Sequence, residues 1–382
     1  MIITQNSPQL RFKEFDGKWK ETLLNDVAEF RKGKGISKSD IIDDGDLECI
    51  RYGELYTTYN ELIVNVVSKT NLPLKGLELS EYNDVIIPAS GETQLDIATA
   101  SCVLKSGVAL SGDLNIIRSS LNGIFLSFYL NNKKKLEIAK LAQGSSVVHL
   151  YSSQLKSLKL NIPTLPEQQK IASFLTAVDE KIQQLSRKKE LLSQYKKGVM
   201  QQLFSGKLRF KDEDGLDYAD WEEKKLGDVL KIGSGKDYKH LEKGNIPVFG
   251  TGGYMLSVNK YLHSGETVFI GRKGTIDKPF YFNGEFWTVD TLFYTHTFKN
   301  VTPKFIYCVF QQVNWKLHNE ASGVPSLSKS TIEKLKFDFP CLEEQQKIAD
   351  FLSSIDTKIE STSQQINQMQ SFKKGLLQQM FV

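Results

Sequence analysis

The sequence predicts an α+β protein in which two strand-rich domains are joined by two long antiparallel coiled-coil helices, with a pseudo-two-fold internal repeat. Three observations support this fold class. A segment of helical character occurs twice at a constant offset, and its apolar residues recur every three or four positions. Each copy also follows a long block that contains short runs with the composition of β-strands.

The repeated segment runs from Pro163 to Phe204 and again from Pro340 to Phe381, at an offset of 177 residues without a gap. Of the 42 aligned residues, 20 are identical, which indicates a duplication. Two shorter motifs, Leu-Arg-Phe-Lys and Trp-x4-Leu-x-Asp-Val, recur at residues 10–13 and 208–211, and at residues 19–27 and 221–229. We therefore divide the chain into a variable block and a repeated helical block, each present twice: residues 1–162, 163–205, 206–339 and 340–382.

The apolar positions of both repeated segments form a heptad seam, which is typical of helices that pair with one another. The first copy contributes Ile171, Leu175, Val178, Ile182 and Leu185, and the second Ile348, Leu352, Ile355 and Ile359. A proline precedes each copy and glutamate occupies the first turn, both of which favour a helix start. The second variable block begins where one helix ends and finishes where the other begins. If that block is compact, the two helices run antiparallel.

The variable blocks predict mixed domains rich in strands. The runs with strand composition are residues 84–88, 114–118, 267–271, 279–283 and 291–298. Each block also predicts a helix shortly before its repeated segment, at residues 124–142 and 303–320. A small polar loop follows each of these helices, at residues 144–150 and 321–327.

Composition excludes several protein classes. Hydrophobic residues make up 40% of the chain and charged residues 25%, as in ordinary globular proteins. The four cysteines lie far apart, and neither a secretory signal nor an apolar run of transmembrane length is evident. We therefore expect a cytoplasmic protein with no membrane association. The net charge of +4 permits a nucleic-acid partner without requiring one.

Basic, glycine-rich turns occupy matching places in the two variable blocks. Residues 31–35 read Arg-Lys-Gly-Lys-Gly, residues 233–236 read Gly-Ser-Gly-Lys, and an Arg-Lys-Gly turn follows the strand-like run at 267–271. Exposed turns of this kind suit contacts with phosphates and guanine edges. The candidate DNA-binding residues are Arg31, Lys32, Lys34, Lys236, Arg272, Lys273, Ser326 and Lys329.

Enzymatic motifs are absent from the sequence. Gly233–Lys236 lacks the remaining positions of a phosphate-binding loop, and the Glu223-Lys224-Lys225 triplet is a weak match to a nuclease site beside a polar linker. The five histidines are scattered, with no HExxH pattern. We therefore expect no catalytic residues, no metal site and no cofactor.

The order of these features resembles the specificity (S) subunits of Type I restriction-modification systems. In that family two variable target-recognition domains are each followed by a helix that opens with P-x-L-x-E-Q-x-x-I. Here the motif stands at residues 163–171 and 340–348, and the resemblance covers essentially the whole chain. The second copy has Glu343 where the first has Pro166.

The resemblance implies a non-catalytic subunit that recognises a bipartite, asymmetric site in double-stranded DNA. It further implies docking of two modification (methyltransferase) subunits, which bind S-adenosylmethionine, and of ATP-dependent restriction subunits. The helices would set the gap between half-sites: 38 helical residues span about 57 Å, more than one DNA turn of roughly 34–36 Å. The candidate partner-binding residues are Glu167, Gln168, Ile171, Glu344, Gln345 and Ile348.

Two other functions remain open from the sequence. One is a non-catalytic coiled-coil scaffold with two protein-binding domains, and the other is a nuclease or methyltransferase that acts alone. Missing catalytic motifs count against the enzyme. Salt-sensitive DNA binding would distinguish the DNA-reading subunit from the scaffold.

Overall fold

The computed structural model describes residues 7–144 and 147–382. Its contacts divide the chain into two compact units: unit 1 is Met1–Leu185 with Gln365–Val382, and unit 2 is Ser186–Gln364. Each unit therefore contains one variable block and part of both long helices. Residues 1–6, and the two serines at 145–146 in the predicted loop 144–150, lie outside the described residues.

Unit 1 contains two sheets whose facing apolar side chains, among them Ile50, Leu110 and Ile116, form a shared core. The five-stranded sheet has the order Ala28–Lys32, Leu114–Ser119, Asp84–Pro88, Ser101–Val103, Leu62–Ile63. The four-stranded sheet has the order Ser68–Thr70, Leu47–Ile50, Ala109–Leu110, Glu78–Leu79. Two short ribbons pair Lys20–Leu23 with Lys159–Ile162, and Ser90–Gly91 with Val148–His149.

The helices of unit 1 cover the other side of the five-stranded sheet. The helix predicted at residues 124–142 forms as two, Gly123–Asn132 and Lys135–Leu141, and the first is almost wholly buried. Asn122 caps it by accepting a hydrogen bond from the amide of Phe125 at 2.9 Å. The remaining short helices are Leu24–Val27, Lys38–Asp40, Glu54–Thr57, Gln94–Ile97 and Ser152–Lys156.

Unit 2 is built on a single six-stranded sheet. Its order is Lys231–Ser234, Leu292–His296, His263–Gly271, Phe280–Thr288, Lys243–Gly250, Gly253–Val258. A ribbon pairs Glu222–Lys225 with Lys336–Phe339, and the helices of the variable block are Leu226–Val229, Pro303–Gln312, Trp315–His318 and Lys329–Lys334. One sheet face packs on Pro303–Gln312, and the other holds an aromatic cluster that includes Phe249, Phe269 and Phe286.

The two long helices are Leu165–Phe204 and Leu342–Gln379, close to the predicted bounds. In unit 1 the start of the first helix packs on the end of the second, with Ile171 and Leu175 in one core with Leu376. In unit 2 the end of the first packs on the start of the second, with Leu203 in one core with Leu352. The helices are therefore antiparallel, as predicted. No helix within residues 7–144 and 147–382 is long and apolar enough to cross a membrane.

A lysine–aspartate pair links the two helices in each unit, and the two pairs occupy equivalent positions of the repeat. Lys373 lies 2.8 Å from Asp179 in unit 1, and Lys196 lies 2.7 Å from Asp356 in unit 2. Burial raises the pKa of Asp179, although the hydrogen bond from Lys373 acts in the opposite direction. These charged positions interrupt the apolar seam and define which residues of the two helices face each other.

A buried glutamate in the first turn of each long helix binds an arginine and a tryptophan from the start of the variable block. In unit 1 the Glu167 carboxylate accepts two hydrogen bonds from Arg11, at 2.7 and 2.8 Å, and one from the Trp19 indole at 3.3 Å. In unit 2 Glu344 accepts from Arg209 at 3.2 and 2.7 Å, and from Trp221 at 3.0 Å. The pairing raises the pKa of both arginines. It also explains why the Leu-Arg-Phe and Trp motifs recur with the helices.

The glutamine that follows each glutamate joins the helix to the variable block. The Gln168 side chain accepts from the amide of Asn122 at 2.9 Å, directly before the buried helix of unit 1. Gln345 accepts from the amide of Thr302 at 2.9 Å, at the equivalent helix of unit 2. Their amide groups donate to the carbonyl oxygens of the prolines five residues earlier, at 3.0 and 2.8 Å. Each Glu-Gln pair thus satisfies buried polar groups from three segments of chain.

We expect Glu344→Ala to lower the free energy of unfolding by about 3–5 kcal/mol, since it leaves the Arg209 guanidinium and the Trp221 indole without their acceptor. Urea denaturation of the purified chain measures the change. The matched control is Glu343→Ala, which removes an exposed carboxylate from the same helix turn and should change stability by less than about 0.5 kcal/mol. Equal stabilities of the two variants would contradict this role for Glu344.

Candidate nucleic-acid interface

A basic cleft in unit 2 forms where the turn after strand His263–Gly271 meets the loop before helix Lys329–Lys334. The Leu327 amide donates to the Arg272 carbonyl at 2.9 Å, and the Gly274 amide donates to the Pro325 carbonyl at 2.8 Å. A β-bridge pairs Lys273 with Ser326. These contacts bring four of the eight predicted DNA-binding residues to one open cleft: Arg272, Lys273, Ser326 and Lys329.

Within residues 7–144 and 147–382, no carboxylate forms an ion pair with any of the three cations of this cleft. The Arg272 guanidinium and the Lys329 ammonium lie 5.9 and 6.0 Å from the ring centroid of Phe293, and Arg272 donates a 3.3 Å hydrogen bond to the Asp290 carbonyl. Each of the other six arginines forms an ion pair with a carboxylate: Arg11, Arg31, Arg51, Arg118, Arg187 and Arg209. Among the described residues Arg272 forms none, so its charge is available to an anionic or acceptor-rich ligand.

Glu320 is the one carboxylate among the described residues that line this cleft, and hydroxyl groups donate hydrogen bonds to it. It accepts hydrogen bonds from the hydroxyls of Thr331 and, at 2.8 Å, of Ser328. These bonds, with that of Thr331 first, lower the pKa of Glu320, so the carboxylate stays ionised at neutral pH. The cleft therefore combines three cations with one anion and has a net positive charge.

The two glycine-rich turns adopt the same backbone hydrogen bonds, as their matching positions predict. The Gly33 and Lys34 amides donate to the carbonyls of Leu114 and Leu110 at 3.0 and 2.9 Å. In unit 2 the corresponding bonds run from Gly235 to Leu292 and from Lys236 to Thr288, at 3.2 and 2.8 Å. A Cβ on Gly33 or Gly235 would lie 1.9 Å from a backbone carbonyl oxygen, so only glycine fits either position. Lys34 and Lys236 are thereby held at equivalent, exposed positions.

Arg31 and Lys32 are also exposed, but Arg31 already has partners. Its guanidinium lies 2.9 Å from Glu29 and 3.3 Å from Glu78, and both hydrogen bonds raise its pKa. A phosphate would have to replace these carboxylates. Residues 31–32 end the edge strand Ala28–Lys32 of unit 1. Lys32, opposite Asn115, occupies the sheet position equivalent to Ser234, which lies opposite Phe293 and lines the cleft of unit 2.

The structure places the six candidate partner-binding residues inside the folded chain. Glu167, Gln168, Ile171, Glu344, Gln345 and Ile348 are all at most 2% exposed. The two glutamates and two glutamines are engaged by the contacts described above, and the two isoleucines lie in the helix seam. A partner cannot reach these side chains, so a docking surface has to be sought among other residues of the repeat.

Sequence reasoning missed five residues that line the basic cleft: Ser234, Phe293, Glu320, Leu327 and Ser328. Phe293 lies on a strand, so only the sheet register shows which cations it contacts. Ser328 caps helix Lys329–Lys334 by accepting from the Thr331 amide at 3.2 Å, and a serine before an apolar-periodic segment could have indicated that cap. Within the described residues no cluster of histidine, cysteine, aspartate and glutamate is suited to a metal ion.

Comparison with known proteins gives consistent results. Residues 16–194 and 218–371 match the family described as Type I restriction modification DNA specificity domain. The chain is 25% identical to the Type I restriction enzyme MjaVIII specificity subunit of Methanocaldococcus jannaschii over an alignment of 435 positions, which covers 99% of this chain and 96% of that protein.

Two solved structures are similar in fold. The S subunit of a Type I restriction-modification system from M. genitalium shares 19% identity, with a TM-score of 0.69 over 98% of this chain and 99% of its own. A chain from a study of complex assembly and conformational transition of the type I R-M system shares 16% identity, with a TM-score of 0.54 over 94% of this chain and 96% of its own.

Proposed function

The chain belongs to the Type I restriction-modification DNA specificity family, because the family match spans most of its length, and from that premise we propose that it reads a bipartite DNA site for a methyltransferase complex. In this proposal residues 1–162 and 206–339 are the target-recognition domains, and residues 163–205 and 340–382 are the helices that set the gap between half-sites. The observation that best supports DNA reading is the basic cleft of unit 2, with its unpaired guanidinium.

We assign the residues of that cleft different tasks. Arg272 pairs with the O6 and N7 acceptors of a guanine in the major groove, which is the most frequent specific contact between an arginine and DNA. Lys273 and Lys329 bind phosphates, together with the turn lysines Lys34 and Lys236. The stacking of Arg272 on Phe293 limits the positions that its guanidinium can occupy and so favours one base over others.

In this proposal the chain performs no chemistry of its own. Adenine methylation would be the work of two modification subunits that bind S-adenosylmethionine, and cleavage that of ATP-dependent restriction subunits. The reported study of type I complex assembly on a protein of similar fold is consistent with such partners. The chain's contribution is to select the DNA site and to position the modification subunits on it.

The internal repeat suggests where the modification subunits dock. Some residues that are identical in the two copies are buried, and their contacts within the chain account for them. Others are exposed in both copies: Leu165/Leu342, Gln169/Gln346, Lys181/Lys358, Lys197/Lys374, Gln201/Gln378 and Gln202/Gln379. Two copies of one partner would bind two identical surfaces, so we propose this exposed set as the docking surface.

The experiment that tests the function is co-expression with the cognate modification subunit, followed by sequencing of methylated adenines in the host DNA. We expect a two-part methylated motif that disappears when this chain is deleted. Methylation at an unchanged motif without the chain would overturn the proposal. The alternative, a non-catalytic coiled-coil scaffold with two protein-binding domains, would then be favoured if the purified chain also showed no salt-dependent DNA binding.

Arg272→Ala should weaken binding to the cognate DNA by about 1–3 kcal/mol and relax the base preference in one half-site, since the guanine loses its bidentate partner. Titration of a fluorescent duplex at fixed salt measures the affinity. The control Arg187→Ala removes an exposed arginine that pairs with Glu190 on the first long helix, and it should leave binding unchanged. If Arg272→Ala bound the cognate DNA with unchanged affinity, Arg272 would be a solvated turn residue that does not contact a base.

Substitutions in the exposed repeated set should change the number of bound modification subunits. Leu165→Ala or Leu342→Ala alone should weaken one of two docking sites, and the double variant should weaken both, as measured by native mass spectrometry. Leu191→Ala is the control: Leu191 is 47% exposed, like Leu165 at 45%, but its repeat equivalent is Gln368. If the double variant still bound two modification subunits at wild-type affinity, the docking surface would lie elsewhere.

A further inference from the structure

The position of the basic cleft in unit 2 has an equivalent in unit 1, which the backbone hydrogen bonds identify. The Leu327 amide donates to the Arg272 carbonyl at 2.9 Å, and the Leu150 amide donates to the Ala89 carbonyl at 3.0 Å. The amides of Arg272 and Ala89 in turn donate to the carbonyls of Thr291 and Asp113, at 2.8 and 2.7 Å. Arg272 therefore corresponds to Ala89.

The neighbouring positions correspond in the same way. A β-bridge joins Lys273 to Ser326 in unit 2, and strand pairing joins Ser90 to His149 in unit 1. The carbonyls of Ser326 and His149 accept from Glu320 and Gln143, at 3.0 and 2.9 Å. From here to the long helices the two units keep the offset of 177 residues, so the helix-capping Ser328 corresponds to Tyr151, and Lys329 to Ser152.

The two equivalent surfaces differ in chemistry. Each of the three cations of unit 2 has a neutral counterpart in unit 1: Arg272, Lys273 and Lys329 correspond to Ala89, Ser90 and Ser152. In exchange, unit 1 has two exposed aromatic side chains, His149 and Tyr151, where unit 2 has serines. Unit 1 has one cation of its own, because Lys32 stands at the sheet position of Ser234, which lines the cleft of unit 2. The shared backbone therefore presents three cations in one unit, and one lysine with two aromatic side chains in the other.

The aromatic pair of unit 1 is ordered by its own contacts. The Ser90 hydroxyl lies 3.1 Å from Nδ1 of His149, and the imidazole stacks on the Tyr151 ring with 6.3 Å between centroids and 22° between planes. In its neutral form an imidazole has one donor and one acceptor nitrogen, so the bond to Ser90 leaves Nε2 for a ligand. The Tyr151 side chain is 56% exposed, although a large ring is more stable when it is covered.

We infer that Ser90, His149 and Tyr151 form the base-reading surface of unit 1, so that one half-site is read by neutral hydrogen bonds and aromatic contact and the other by cations. This inference rests on the proposed function. Nε2 of His149 would bond to a base edge in the major groove, and the Tyr151 ring would pack on a base or a thymine methyl group. Ser90 acts as a positioning residue, because it fixes the imidazole and does not itself contact the base.

The test uses the full chain in complex with its modification subunit, acting on a plasmid library in which both half-sites are randomised. We expect His149→Ala and Tyr151→Ala to reduce discrimination at one or two base pairs of a single half-site by about 5- to 150-fold. Ser90→Ala should produce a smaller loss at the same base pair as His149→Ala. Preference in the other half-site should stay unchanged, and it serves as an internal control for folding.

The matched control is Tyr82→Ala, which removes another exposed tyrosine of unit 1, from the opposite end of strand Asp84–Pro88. It should leave both half-sites unchanged. The inference is overturned if His149→Ala and Tyr151→Ala keep the wild-type motif, or if they lower methylation equally at all sites, since neither result is compatible with reading one half-site. A wild-type complex that methylated no bipartite motif would instead overturn the proposed function itself.

Discussion

The carboxylate in the first turn of each long helix is the contact on which the rest of the structure depends. Glu167 and Glu344 are buried, and a buried carboxylate is tolerated only when charge and hydrogen bonds compensate for the lost water. The compensation comes from an arginine and a tryptophan at the start of the variable block, and the adjoining glutamine binds the start of the helix within that block. The first turn of each long helix therefore binds the start of the strand-rich block, the start of the helix within it and the proline that follows it.

This arrangement explains how two diverged blocks can share one framework. The contacts at the helix start involve only motif residues and backbone groups, so the remaining side chains of a block can change without disturbing them. The glycine-rich turns show the same difference between backbone and side chains. Gly33 and Gly235 are both required, because a backbone carbonyl approaches each of them closely. Two residues earlier, equivalent sheet positions hold Arg31 in unit 1 and Gly233 in unit 2. Backbone geometry is held in common, and side-chain chemistry is free to differ.

Charge is distributed according to role. Six arginines are neutralised by carboxylates, and the inter-helix lysines pair with aspartates, so these cations belong to the framework. Arg272 and Lys329 lie against Phe293, and among the described residues neither they nor Lys273 forms an ion pair with a carboxylate. Three cations with a single carboxylate, Glu320, repel one another in the free protein, and an anionic ligand such as DNA would remove that cost.

The sequence by itself determined the duplication, the long helices and the matched turns, because a constant offset and a heptad period are visible in the order of the residues, and the connectivity of the chain then predicted the antiparallel direction. It also indicated Arg272, Lys273, Ser326 and Lys329, but as separate turn and loop residues. Only the tertiary structure decided that these four share a cleft, that Glu167 and Glu344 face inward to Arg11 and Arg209, and that Ala89 corresponds to Arg272. Burial and strand register are set by contacts between residues far apart in the chain, and a helical period does not show which polar residue finds a buried partner.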